Sequence, residues 1–234
     1  MTQDPHQERL DEPRSESAVT TEQPPHVPPP EGFLDTAVGV LSAPVATMRR
    51  LTVHPRVGWA IGLTVGLAVL STLAGAPGIG EAAPGAGITA PAGLDGLGGV
   101  ILAGSLILGP LFALGLLAAW SGILHGLARL LGGVGIYSGA FTGVAFASVP
   151  QALGIPFQLL PQLAGPAGAV ISSLVSFALT VWMAVLTVIA VREGHGITTG
   201  RAVAAFVIPL AALLLLVVLF VVLVGAALFA ALPM

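Results

Sequence analysis

The chain has 234 residues, 55% hydrophobic and only 8% charged, with a formal net charge of −3. A soluble domain carries about 25% charged residues, so a water-soluble monomer is excluded and an integral membrane protein expected. The absence of cysteine excludes disulfides, thiolate metal sites and cysteine nucleophiles.

All eight basic residues are arginine, which with the Ala and Gly richness points to a GC-rich prokaryotic genome. Acids concentrate at the N-terminus: Asp4, Glu8, Asp11, Glu12, Glu16, Glu22, Glu31 and Asp35, opposed there only by Arg9 and Arg14. No basic tract is long enough for nucleic acid, so no nucleic-acid partner is expected.

Residues 1–32 form an acidic, Pro-rich tail containing Pro24-Pro25-His26-Val27-Pro28-Pro29-Pro30. It cannot bury enough apolar surface to offset its ordering entropy and is expected to be disordered and cytoplasmic. No positively charged n-region followed by an apolar h-region opens the chain, so no cleavable signal peptide is expected.

Residues 33–56 change character. Leu34, Val38, Leu41, Val45 and Met48 recur at helical spacing. Pro44 interrupts the pattern, and Ser42 is placed to cap the helical turn beyond it. This predicts a short, broken amphipathic helix in the headgroup layer.

Residues 57–234 are expected to form an all-α polytopic domain of five transmembrane helices, since runs of about 20 apolar residues can each span a bilayer. Span one, 57–76, carries Gly58, Gly62 and Gly66, a small-residue stripe expected to pack closely against a partner helix. A Gly/Pro/Ala loop with Glu81 and Asp95 comes next. Span two, 99–124, contains Gly109-Pro110, which predicts a kink. Span three, 139–160, is the least apolar, with Ser148, Gln151 and Gln158, and is broken by Pro150 and Pro156. Span four covers 168–190 and span five 202–231, the last with Pro209.

Two short polar turns join these spans into hairpins. Gly133-Val134-Gly135-Ile136-Tyr137-Ser138-Gly139 and Gly194-His195-Gly196-Ile197-Thr198-Thr199-Gly200 share the frame G-x-G-I-x-[ST]-G. Trp120 and Arg129 precede the first turn as Trp182 and Arg192 precede the second, and Pro150 and Pro209 lie beyond them. This predicts a parallel repeat about the membrane normal, with one helix added to two similar hairpins. The glycines at 133, 135, 194 and 196 are expected to permit positive φ. Ser138 and Thr199 are expected to cap the helices that enter the membrane after each turn.

Arg49, Arg50 and Arg56 precede span one, Arg129 comes after span two, and Arg192 and Arg201 flank the second turn. The positive-inside rule then makes these segments cytoplasmic, with the N-terminus inside and the C-terminus outside a cytoplasmic (plasma) membrane. No metal, cofactor or phosphate-loop motif occurs. His125 is the only ionisable group inside a predicted span; it lies one turn after Ser121 on the same helix, a poor arrangement for a Ser–His hydrolase. His195 is expected to be solvated in its turn, and Glu193 to sit at the surface beside Arg192.

The segment Leu41-Ser42-Ala43-Pro44 with Arg49-Arg50-Leu51, the turn Gly133–Gly139 leading into Ala147-Ser148-Val149-Pro150, and the stretch from Trp182 to Pro209 together resemble the Yip family of multi-pass membrane proteins. The likeness runs from Phe33 to the end. In eukaryotes this family implies Golgi and endoplasmic-reticulum trafficking proteins that contact Rab-type GTPases and shape membranes. The Asp-Tyr motif of the eukaryotic branch is not visible in this tail, so the resemblance gives little ground for a small-GTPase partner. It implies a non-enzymatic, membrane-organising or trafficking-like scaffold acting through helix packing and its cytoplasmic face. The expected partners are the bilayer and another transmembrane chain, identical or different. The alternative is a small transporter or permease subunit with a pathway along span three.

Overall fold

The computed structural model describes residues 32–75 and 97–230. The N-terminal tail, the loop with Glu81 and Asp95, and Met234 lie outside the described residues. Helices α1 (Phe33–Ser42), α2 (Pro44–Val53), α3 (Val57–Gly75), α4 (Leu97–Leu130), α5 (Tyr137–Ala147), α6 (Gln151–Gly154), α7 (Leu160–His195) and α8 (Thr199–Ala230) succeed one another in order, with a 3₁₀ turn over Ile155–Leu159 between α6 and α7. No strand occurs among the described residues. Among the described residues four helical stretches are long and apolar enough to cross a membrane: α3, α4 from Gly99, the stretch Tyr137–His195 that runs from α5 to α7, and α8 to Val224. The chain is an all-α polytopic membrane protein.

The predicted third span is not a continuous helix. Pro150 has no N–H to offer the carbonyl of Phe146, and its ring collides with that carbonyl in a regular helix. The backbone tightens instead: Ser148 and Val149 donate to Ala145 and Phe146, three residues back. Short α6 and the 3₁₀ turn continue the path. Gly143 lies against Ala190, the Gln151 amide against the Met183 sulfur, and Gly154 against Leu179. These pairs descend along α7 as they ascend from α5, so the segment runs antiparallel to α7. The chain reverses at Gly165 (φ 56°, ψ −136°), a conformation closed to most side chains, immediately before Pro166. Pro110, by contrast, leaves α4 unbroken through its 34 residues.

Short α5 is the centre of the molecule. Every residue from Gly139 to Ala147 is buried, as expected of a helix apolar all round. Phe146 and Ala147 join Val40, Met48, Leu51, Leu186 and Ala190 in one cluster. Val144 meets Leu124, Ala128, Val191 and Ala205 in a second, and Phe141 and Ala145 meet Ala60 of α3 in a third. In contrast, α8 packs through Ala202, Ala205 and Phe206. From Leu210 to Val224 all its residues are exposed, a surface suited to acyl chains.

The segment over residues 33–56 is a pair of short helices packed on the bundle, and the predicted apolar pattern divides: Met48 is buried and Leu41 packs against the same cluster, while Leu34 and Val38 face outward. Leu34 and Val38 are 74% and 62% exposed. The buried positions are Thr36, Val40, Thr47, Met48, Leu51 and Thr52. A helical threonine can return its hydroxyl to its own backbone, as Thr36 Oγ1 does to Gly32 O (2.9 Å) and Thr52 Oγ1 to Met48 O (2.8 Å). It then packs as a small apolar residue. Ser42 does not cap α2; its hydroxyl donates back to Val38 O, and Ala43 precedes α2 with Pro44 in its first turn.

Among the described residues nothing packs against the glycine stripe of α3. A Cβ at Gly58, Gly62 or Gly66 would meet nothing within 4 Å. The close approaches are elsewhere. A Cβ at Gly139 would collide with the Thr52 carbonyl, one at Gly143 would lie 2.9 Å from Ala190 Cβ, and one at Gly194 3.0 Å from Thr52 Cγ2. The contact at Gly139 involves backbone and cannot yield by a rotamer change. Gly139→Ala should therefore destabilise the chain by about 1–3 kcal/mol despite alanine's better helix propensity, whereas Gly62→Leu should change monomer stability by less than about 0.5 kcal/mol. Reversible unfolding in neutral micelles measures both. A Gly139→Ala protein as stable as the parent would remove Thr52 as a packing constraint.

Candidate functional site

The most polar region of the described chain is the end where α2 and α7 finish and α8 begins. The six arginines from Arg49 to Arg201 oppose only Asp35 and Glu193 among the described residues. Glu193, in the last turn of α7, accepts from Arg49 Nε at 2.7 Å through Oε2. Its Oε1 accepts from Arg192 Nε at 2.9 Å and Nη2 at 2.7 Å. The Glu193 side chain is only 9% exposed, that of Arg49 67%. Glu193 thus ties α2 to α7 and holds two guanidinium groups in place by charge-assisted hydrogen bonds. Arg192 Nη1 also donates to Thr199 Oγ1 at 3.3 Å. Arg129 Nη1 reaches the carbonyl of Gly135 at 3.4 Å, and the Arg56 guanidinium lies 4.1 Å from the centre of the Trp59 ring.

The two hairpin turns lie against each other here. Val134 N–H donates to the His195 carbonyl at 3.1 Å, and the backbone of Gly135 abuts the Gly194 carbonyl. A Cβ at Gly133 would stand 2.8 Å from both Ala128 O and His195 Cβ. Gly133, Gly135 and Gly194 are therefore glycine for space; none has positive φ. That conformation belongs to Gly132 (φ 90°) and Gly196 (φ 64°). Gly196 closes α7 in the left-handed region, with its N–H and that of Ile197 directed to Arg192 O. The shared sequence frame is consequently out of register with the backbone. The glycines that end the helices are 132 and 196, and four non-helical residues, 133–136, separate turn one from α5 where turn two has two, Ile197 and Thr198.

The expected caps are corrected in the same way. Ser138 is the second residue of α5, whose N-cap Ile136 has no side-chain hydrogen bond. Thr199 begins α8 and accepts from Arg192. The capping hydroxyl is its neighbour Thr198, which accepts from Arg201 N–H at 3.5 Å.

His195 is not solvated: it is 1% exposed, covered by turn one. Its Nε2 lies 3.0 Å from His125 Nδ1, and its Nδ1 lies 3.1 Å from Val191 O. A carbonyl oxygen only accepts, so His195 Nδ1 carries hydrogen. In the neutral ring its Nε2 then has the lone pair and accepts from His125 Nδ1–H. The relay runs from His125 through His195 to Val191, joining α4 to α7. A proton added to His125 Nε2 leaves it intact, whereas one added to His195 sets N–H against N–H. Tyr137 packs edge-on against His125 and donates to Ala118 O at 3.0 Å.

Ser121 and Thr142 are buried, and their hydroxyls have no hydrogen-bond partner among the described residues. Ser121 makes no hydrogen bond to His125. No group of three or more metal-binding side chains occurs among the described residues. The histidine pair had no local signal beyond two histidines near the ends of two long helices, one of them inside a glycine-rich turn that reads as solvated.

Buried α5, long apolar outer helices and one arginine-rich end define a polytopic helical membrane protein with a filled centre. The family model described as Yip1 domain matches residues 38–231, and the chain belongs to that family. Comparison with curated proteins and with solved structures gives no match.

If the relay contributes to packing, His125→Ala and His195→Ala should be coupled by about 0.5–1.5 kcal/mol in a double-mutant cycle. Ring ¹⁵N shifts near neutral pH should report hydrogen on Nδ1 of both residues. Additive mutants, or an Nε2–H tautomer at His195, would remove the relay.

Proposed function

We propose that this Yip-family protein is a non-enzymatic membrane-organising scaffold. It acts through its packed transmembrane helices and an arginine-rich end that faces the cytoplasm of a prokaryotic plasma membrane. The observation that carries the reading is the enclosure of α5. Its residues from Gly139 to Ala147 are buried among α2, α3, α4 and α7, and its glycine contacts leave no room to slide. A transport pathway along the predicted third span would have to pass this segment. Clustering of arginine near one set of helix ends supports the cytoplasmic assignment.

Cysteine scanning of the naturally cysteine-free chain tests both parts. Thr198→Cys, at an exposed position, should react with an impermeant maleimide only after the membrane is opened, and Glu81→Cys in intact cells. Cysteines at Ala145, Ser148 and Gln151 should resist small aqueous thiol reagents in the folded protein. Reaction at these three positions, with protection by a solute, would favour the permease reading. Reaction at Thr198→Cys in intact cells would reverse the orientation and leave the scaffold role standing.

A further inference from the structure

We propose that the arginine-rich end carries a binding site for the phosphate of an anionic glycerophospholipid headgroup. The site is a recess of about 640 Å³ between the end of α2 and the turn from α7 to α8. Arg49, Arg192, Glu193, Thr198 and Thr199 line it, and Val53 and Ile197 supply apolar wall.

The hydrogen bonds already made decide which ligand class fits. Both Glu193 oxygens are engaged, Oε2 by Arg49 and Oε1 twice by Arg192. The carboxylate is therefore occupied in positioning the arginines. Arg49 uses only its Nε on Glu193, so its Nη1 and Nη2 retain their N–H donors. Thr198 Oγ1 already accepts from Arg201 N–H and Thr199 Oγ1 from Arg192 Nη1. Each hydroxyl keeps its hydrogen free to donate, beside one remaining lone pair. The side chains around the recess thus present donors, and two arginines against one glutamate leave one positive charge. That is the complement of a phosphate group.

Position selects the lipid form of the phosphate. The apolar run of α8 starts at Thr199 and that of the preceding segment ends at His195. The recess therefore lies at the end of the spans, level with the headgroups. Its apolar residues sit where a glycerol backbone would continue from the phosphate. An added choline cation would face a recess that is already positive, so phosphatidylglycerol should be preferred to phosphatidylcholine. The inference rests on the multi-pass membrane placement and requires neither the scaffold role nor a particular orientation.

The test uses the full-length chain in dodecyl-maltoside micelles, titrated with dioctanoyl phosphatidylglycerol, dioctanoyl phosphatidylcholine, glycerol 3-phosphate and inorganic phosphate. Phosphatidylglycerol should bind roughly tenfold more tightly than phosphatidylcholine, and Arg49→Gln should weaken it by roughly the same factor, as for loss of one charge-assisted hydrogen bond. Thr199→Val should weaken it less, and Arg50→Gln, the same charge loss one residue away and outside the recess, by less than about twofold. Circular dichroism checks that each variant is folded. Should Arg49→Gln not fold, Thr199→Val against Arg50→Gln decides. Equal binding of the two lipids, equal loss in Arg49→Gln and Arg50→Gln, or Thr199→Val no weaker than Arg50→Gln would each overturn the site. Free phosphate binding as tightly as the lipid would overturn the lipid as its source.

Discussion

Thr52 can reach its place only because three positions around it have no side chain. Gly139 of α5 accommodates its carbonyl, and Gly143 and Gly194 accommodate its methyl group. The approach of α2, α5 and α7 depends on that vacancy, and much of the rest depends on the approach. It buries Met48 and Leu51 against Phe146 and Leu186. It brings the end of α2 to the end of α7, where Arg49 finds Glu193. Lipid supplies no hydrophobic drive for helices to associate within it, so close contact of small residues must do that work. Here those residues lie on short, buried α5, and the stripe on α3 meets none of the described residues.

Electrostatics completes what packing begins. An exposed ion pair contributes little, since water and salt screen it and the long side chains lose entropy. Glu193 differs because its carboxylate is enclosed while Arg49 remains open to solvent. Removal of Glu193 would leave two adjacent guanidinium groups without their common partner. The same junction carries Thr199, bonded to Arg192, and Gly196, which turns the chain into α8. A helix-ending glycine, an ion pair and the capping Thr198 thus occupy a few successive residues, and together they fix where α8 enters the membrane.

Hydropathy makes the membrane helices legible because a bilayer imposes a length and a polarity on each crossing. The first predicted span, 57–76, agrees with α3 to one residue. What sequence does not carry is which face of a helix meets which neighbour. Gly62 and Gly143 are the same residue type in similar apolar surroundings, yet one is open and the other closed. The pattern Leu34, Val38, Leu41, Val45, Met48 has helical period, but the period does not say that Met48 enters the core while Leu34 and Val38 stay outside it. Thr36, Thr47 and Thr52 count as polar until their hydroxyls are returned to the backbone or bonded to a neighbour. His195 reads as solvated because its sequence neighbours are glycine and glutamate; what covers it comes from sixty residues earlier in the chain. The register of the two turns fails for a related reason. Gly133 and Gly194 align in sequence, but one lies beyond the end of its helix and the other within the last turn of α7.

The broken third segment is then the price of filling the centre. A continuous helix there would keep one face toward each neighbour along its whole length. The stop at Pro150 instead lets α5 meet α2, α3, α4 and α7 near the arginine-rich end, while α6 and the 3₁₀ turn run beside α3 and α7 farther along. Pro150 is itself fully buried, so its missing N–H leaves no orphan donor in apolar surroundings. Pro209 sits on a helix whose outer surface meets lipid, and α8 continues through it. Two prolines at corresponding places in the sequence therefore act differently. The buried one ends a helix that must change neighbours, and the other lies in a helix that keeps the same lipid-facing surroundings on both sides of it.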